Sequence, residues 1–204
     1  DGKFINAAIA LARKADPRPN PRVGAVIVKN ATVIGSGFHN KAGSAHAEII
    51  ALRKAGGKAF GATLYVTLEP CSHFGKTPPC TNAVIKSGIS RVVFAQKDPT
   101  PKVNGVRELR KAGIKVRQIN DAKLLGKARA LNPFFEKLEK KIKAALALYL
   151  VVFALGMVTT ILGITNVASF AQLHTTMFAV AAGSFILFAF GSLLFVIGKI
   201  DWLG

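Results

Sequence analysis

Cysteine is scarce in this sequence. Two among 204 residues, Cys71 and Cys80, are too few for a disulfide framework and exclude the small secreted scaffolds that depend on one. Acidic residues are also scarce, 10 against 28 Lys and Arg, leaving a formal charge of +18. From Ala144 to Gly198 charge of either sign is missing altogether. Lys199 and Asp201 cancel, so residues 1–143, with 27 basic and 9 acidic side chains, carry the whole excess. Two chemically different segments are joined end to end. No basic stripe interleaved with aromatics appears, which argues against a dedicated nucleic-acid surface. So basic a segment attracts smaller anions such as phosphorylated metabolites, or an anionic membrane face. The plainer reading is a generally basic surface. The sequence begins at Asp1 with no initiator Met, so a few native residues are expected to precede it.

What is present over residues 1–120 alternates between two periods. Phe4 to Lys14 has helical spacing, and the proline-rich 16–21 must be loop. Val23 to Val28 and Thr32 to Phe38 read as a hairpin turning at Lys29-Asn30. His46 opens a helix that Gly56-Gly57 stops. Ala62 to Leu68 is a strand delivering Glu69-Pro70-Cys71 at its end, and Cys80 to Ser87 is a helix. Arg91 to Ala95 is a strand, Val106 to Ala112 a helix, and Lys115 to Ile119 a last strand. Such alternation predicts an α/β domain with helices on both sheet faces.

After residue 120 the pattern changes. Residues 121–143 read as a basic amphipathic linker, ending in Lys137, Lys140, Lys141 and Lys143. Ala144 to Ile164 and Met177 to Ile197 are each 21 residues without a charge, the length of a bilayer-spanning helix. Residues 144–204 are therefore expected to form a two-helix transmembrane hairpin, a buried soluble hairpin being the alternative. The lysines before the first span place that end, the basic domain and both termini on the cytoplasmic side of a multi-pass membrane protein.

Three ligand-type side chains and one carboxylate stand out in the first segment. His46 and Glu48 in H-A-E, with Pro70-Cys71 at a strand end, match the H-x-E…P-C-x-x-C signature of zinc deaminases. The second cysteine departs, since Cys80 follows Cys71 after eight residues and not two. A catalytic zinc takes three protein ligands and keeps one position open for water, and His46, Cys71 and Cys80 supply three. Metal binding lowers the pKa of that water, making hydroxide available near neutral pH. Glu48, two residues after His46 in the first helical turn, then carries protons from the water to a ring nitrogen and to departing ammonia. Cys80 opens a helix, so nearby backbone N–H groups are expected to lower its pKa. The competing readings are a Cys71–Cys80 disulfide, or a structural zinc with His73 or His39 as fourth ligand.

Three stretches carry a specific resemblance: Asn20 to Val28 (N-P-R-V-G-A-V-I-V), Gly37 to Glu48 (G-F-H-N-K-A-G-S-A-H-A-E) and Gly61 to Cys80 (G-A-T-L-Y-V-T-L-E-P-C-S-H-F-G-K-T-P-P-C). Together they resemble the riboflavin-biosynthesis pyrimidine deaminases, the deaminase half of a bifunctional deaminase–reductase. The widened cysteine spacing enclosing G-K-T-P-P is that family's own variant. The resemblance covers about residues 3–120. It implies a cytidine-deaminase-like three-layer α/β/α sandwich with a mixed central sheet, zinc as cofactor, and a homo-oligomer. The implied substrate is 2,5-diamino-6-ribosylamino-4(3H)-pyrimidinone 5′-phosphate, losing a ring amino group as ammonia. It also implies that Asn20 and His39 lie beside the substrate, that Lys76 and Thr77 contact its ribose phosphate, and that Asp98 reaches the ribosyl side. A flexible cation in a glycine-flanked loop suits a phosphate monoester, which agrees for Lys76.

Two departures stand against it. Asp98-Pro99-Thr100-Pro101 occupies the place of the family's D-P-N-P, altering one substrate hydrogen bond. The hairpin takes the place of the reductase half, so a separate reductase, or a fused or rearranged chain, is implied. Two further readings are a deaminase of another base or nucleoside, which the cysteine spacing opposes, and a non-catalytic membrane-tethered docking or sensing module, which an intact Glu48 opposes.

Overall fold

The structure, a computed structural model, describes residues 1–75, 77–100 and 102–166; along the last helix, the side chains of 136, 138, 139, 142, 155 and 158–166 lie outside the description. In β1 (Gly24–Lys29), Ala25 and Ile27 belong to one apolar cluster and Val26 and Val28 to another, and all four are buried. Period-two alternation between two buried faces requires cover on both sides of the sheet. β1 pairs antiparallel with β2 (Thr32–Phe38) and with β3 (Thr63–Leu68). β3, β4 (Arg91–Gln96) and β5 (Lys115–Gln118) run parallel, giving a mixed sheet of order β2-β1-β3-β4-β5.

On one face, α2 (Ala47–Ala55), α3 (Cys80–Lys86) and α4 (Gly105–Lys111) contribute Ala47, Ala51, Val84 and Leu109 to the cluster around Leu64, Val66 and Val92. On the other, α1 (Gly2–Ala12) and α5 (Ala122–Arg129) contribute Ile5, Ile9, Leu124 and Ala128 around Tyr65 and Val93. Each fully buried Ile, Leu or Val contributes roughly 1.5–3 kcal/mol. The three-layer α/β/α arrangement follows.

The elements expected over residues 1–120 are all present, with ends displaced by at most two residues. Close approach needs glycine at one edge: a Cβ on Gly37 would stand 2.5 Å from the Ala47 carbonyl oxygen. That contact seats the first turn of α2, which carries Glu48, directly on β2.

The boundary placed at residue 120 falls inside a compact unit that runs from Asp1 to Glu136. Residues 121–136 are not a free linker, because Leu124, Ala128, Leu131 and Phe135 are buried in the two clusters. Asn132 ties the segment down: its side chain accepts from the Arg22 amide at 2.8 Å and donates to the Arg22 carbonyl at 3.1 Å. Asp121 caps α5 by accepting from the Leu124 amide.

A second unit starts at Lys137. α6 (Pro133–Asn166) is one 34-residue helix, so the basic run and the first uncharged run, 144–164, share a single element where the sequence suggested a linker and a span. Among the residues whose side chains are described, which leaves out 155 and 158–164 of that run, no helix is long and apolar enough to cross a membrane. The second uncharged run, 177–197, and the connection before it lie outside the described residues.

Candidate metal centre

His46 is the residue before α2, in extended conformation, and Cys80 is the first residue of α3. Cys71 lies in the loop after β3, three residues beyond the strand's last, Leu68. These ends meet. His46 Nδ1 lies 3.2 Å from Cys80 Sγ and 3.5 Å from Cys71 Sγ, and the three ligand atoms all fall within 4.8 Å of one another. A tetrahedral zinc with ordinary bond lengths holds nitrogen and sulfur ligands roughly 3.6 Å apart. One nitrogen and two sulfurs are also the borderline-soft donor set that zinc prefers, so the residues fit the ion.

The electrostatics correct one expectation. The amide at the start of α3, that of Cys80, donates to Cys71 Sγ at 3.3 Å, so the helix start serves the other cysteine. Cys71 is drawn down to about 4 by the hydrogen bond from the Cys80 thiol, helped by His46 and that amide. The Cys80 thiol is pushed up, because it donates to Cys71 and is buried. His46 is raised, chiefly by its hydrogen bond to Cys71. Both cysteines are free, so the disulfide reading does not describe the site.

Glu48 is 3% exposed, and burial lifts its carboxyl to about 7, against the pull of the neighbouring His46. A carboxyl balanced near neutrality takes up and releases protons with little loss in either direction.

Asn20 and His39 are assembled beside the triad. Asn20 Nδ2 lies 3.1 Å from His39 Nε2, and His39 Nδ1 lies 3.3 Å from the Ala45 carbonyl oxygen. The consistent assignment has Nδ1–H donating to Ala45 and Nε2 accepting from Asn20. Burial lowers the His39 pKa, which keeps that neutral tautomer. With both nitrogens engaged, His39 is no fourth ligand; its ring stands edge-on to His46 at 5.0 Å. His73 also lies outside the ligand cluster among the described residues.

Thr77 Oγ1 lies 3.4 Å from His46 Nε2, a contact the sequence did not suggest. It lets the hydroxyl accept from Nε2–H, which would leave the Nδ1 lone pair for a metal held together with the two sulfurs. Asp98 is close enough to His73 and Cys71 for their charges to act on it, and burial raises its pKa. Its Oδ1 accepts from the Thr100 amide at 2.9 Å and from the Thr100 hydroxyl. Thr100, where the family shows Asn, thus engages Asp98 itself. Lys76 lies outside the described residues.

Sequence reasoning also passed over the flanks of Cys71. Glu69 Oε1 accepts from the Val106 amide at 2.9 Å, and Ser72 Oγ accepts from the Asn104 amide at 2.7 Å. Between them, a Cβ on Gly105 would stand 1.9 Å from the Pro70 carbonyl oxygen. The first turn of α4 is fastened to both sides of the metal loop. Its only sequence signal is a glycine opening a helix.

Residues 1–96 match the cytidine and deoxycytidylate deaminase zinc-binding region. The chain is 58% identical over 120 residues to a riboflavin biosynthesis protein RibD of Aquifex aeolicus, covering 57% of this chain and 34% of that protein. It is 56% identical over 118 residues to a diaminohydroxyphosphoribosylamino-pyrimidine deaminase of Buchnera aphidicola from Acyrthosiphon pisum, covering 56% of this chain and 80% of that one. The solved structure of Acinetobacter baumannii RibD, form 2, superposes with a TM-score of 0.63 at 48% identity, over 67% of this chain and 39% of that one. The chain thus spans about a third of the Aquifex protein and most of the Buchnera one.

Proposed function

This chain belongs to the diaminohydroxyphosphoribosylamino-pyrimidine deaminase family of zinc-binding deaminases, and from that premise we propose that it catalyses the family's hydrolytic step in riboflavin biosynthesis. The substrate is 2,5-diamino-6-ribosylamino-4(3H)-pyrimidinone 5′-phosphate: water replaces a ring amino group, a C–N bond gives way to a carbonyl, and ammonia leaves. His46 Nδ1, Cys71 Sγ and Cys80 Sγ would hold zinc, which when bound would supply Lewis acidity to activate the attacking water.

Glu48 takes one proton from the attacking water and delivers it to the ring nitrogen; it then takes the second from the newly formed hydroxyl, as that becomes the carbonyl, and passes it to the departing amine. Its burial next to the triad is the single observation that carries this reading. Asn20 and His39 present a polar, neutral edge that orients the pyrimidine. Thr77 holds the His46 ring and, with Lys76, meets the ribose phosphate, while Asp98 reaches the ribosyl side.

Glu48→Gln should lower ammonia release from the ribotide by at least about a hundredfold while zinc stays bound. Equal rates in mutant and wild type, at equal zinc content, would discard the mechanism. Cytidine run beside the ribotide separates this substrate from another base or nucleoside.

The same reading extends to place and partners. The basic domain works on the cytoplasmic side, tethered by spans at 144–164 and 177–197 with both termini cytoplasmic. What supports this is the absence of charge in both runs and the lysines that precede the first. Further copies of this chain, and a reductase acting on the deaminated product, are its partners.

A further inference from the structure

Beside α4 lies a groove of about 620 Å³ that shares no residue with the metal site. Lys97, Arg107, Arg110 and Lys111 line it, together with Asn104 and Glu69. Its volume is that of a small-molecule site. Arg110 donates to the Val116 carbonyl and Lys111 pairs with Glu108, but Lys97 and Arg107 have no hydrogen bond or ion pair among the described residues. Four cations around one concavity call for an anion with several oxygens.

Glu69 narrows the choice. It is 4% exposed, and while Oε1 accepts from the Val106 amide, Oε2 is buried without a partner. A buried carboxylate oxygen without a donor is costly, and it repels a ligand that is anionic throughout. A ligand that satisfies both features brings N–H or O–H to Glu69 and phosphate to the cations. We propose that this groove is a second binding site, taking a nucleotide-class ligand whose hydroxyl or amine donates to Glu69 and whose phosphate is held by Lys97 and Arg107.

The test uses the full chain and calorimetric titration with AMP. Lys97→Ala/Arg107→Ala should weaken AMP binding by about tenfold or more while leaving ammonia release from the ribotide at the wild-type rate. Glu69→Gln keeps an acceptor for Val106 but loses the carboxylate; it should weaken AMP several-fold and leave inorganic pyrophosphate unchanged or tighter. Lys76→Ala, aimed at the substrate's own phosphate, should bind AMP as wild type does. The proposal is overturned if AMP does not bind, if the double mutant binds it undiminished, or if Lys76→Ala abolishes binding. Failure of these titrations with deamination intact leaves the catalytic reading standing; loss of deamination in Glu48→Gln leaves the groove untouched.

Discussion

Glu48 holds a proton in one step of the proposed reaction and gives it up in the next, and its surroundings set the balance. Burial moves its carboxyl from the ordinary 4.5 to about 7. The folded protein therefore binds this proton more tightly than the unfolded chain. The contribution to stability is complete below about pH 4.5 and is lost as the pH rises through 7. Glu48→Gln stays neutral throughout and does not lose it. In zinc-stripped protein, the mutant should gain on wild type between pH 4.5 and 8 by about 3 kcal/mol. Urea unfolding at the two pH values measures it; a difference that does not change with pH would mean the carboxyl is unperturbed. Residues of this kind were legible because their chemistry is local: His46, Glu48, Cys71 and Cys80 announce themselves by type and spacing. The Thr77 contact was not, because nothing in T-P-P-C says which ring nitrogen the hydroxyl will meet. Nor was the different setting of the two sulfurs, in which Cys71 accepts from the Cys80 thiol and, as a smaller effect, from the Cys80 amide.

At the scale of elements, α4 and α5 show what pattern reading catches and misses. α5 carries two lysines and an arginine in eight residues, with only Leu124 and Ala128 buried, too thin a stripe to separate from a basic linker. α4 was found in place, yet its docking on the metal loop pairs the Glu69 and Ser72 side chains with backbone amides of Val106 and Asn104, and amides carry no residue-type signature. The close contact at Gly105 makes the docking testable. Gly105→Ala forces a methyl against the Pro70 carbonyl and should cost about 1–3 kcal/mol with weakened zinc retention. Gly126→Ala in α5 meets nothing within 4 Å and should stabilise by up to about 1 kcal/mol. Denaturant midpoints and bound-zinc assays decide both, and similar values for the two variants would deny any special role to the Gly105 contact.

For the whole molecule, the division of charge governs behaviour. All the excess of +18 resides in residues 1–143, and 144–198 are uncharged. If the hairpin spans the bilayer as proposed, the full chain stays with membranes through carbonate and high-salt washes; extraction by either would reduce the attachment to electrostatic adhesion. The fold of residues 1–136 is held together across long sequence distances, and the fastening of α4 to the metal loop is the clearest case. Two backbone hydrogens, on Val106 and Asn104, are sequestered by Glu69 and Ser72 on either side of Cys71. They are built-in reporters of the loop, more than thirty residues away along the chain. With zinc in place their exchange with deuterated solvent should be slow. Removing the metal should quicken it at these two amides before the amides of β3 and β4 respond, making loop opening a local event that precedes unfolding of the sheet.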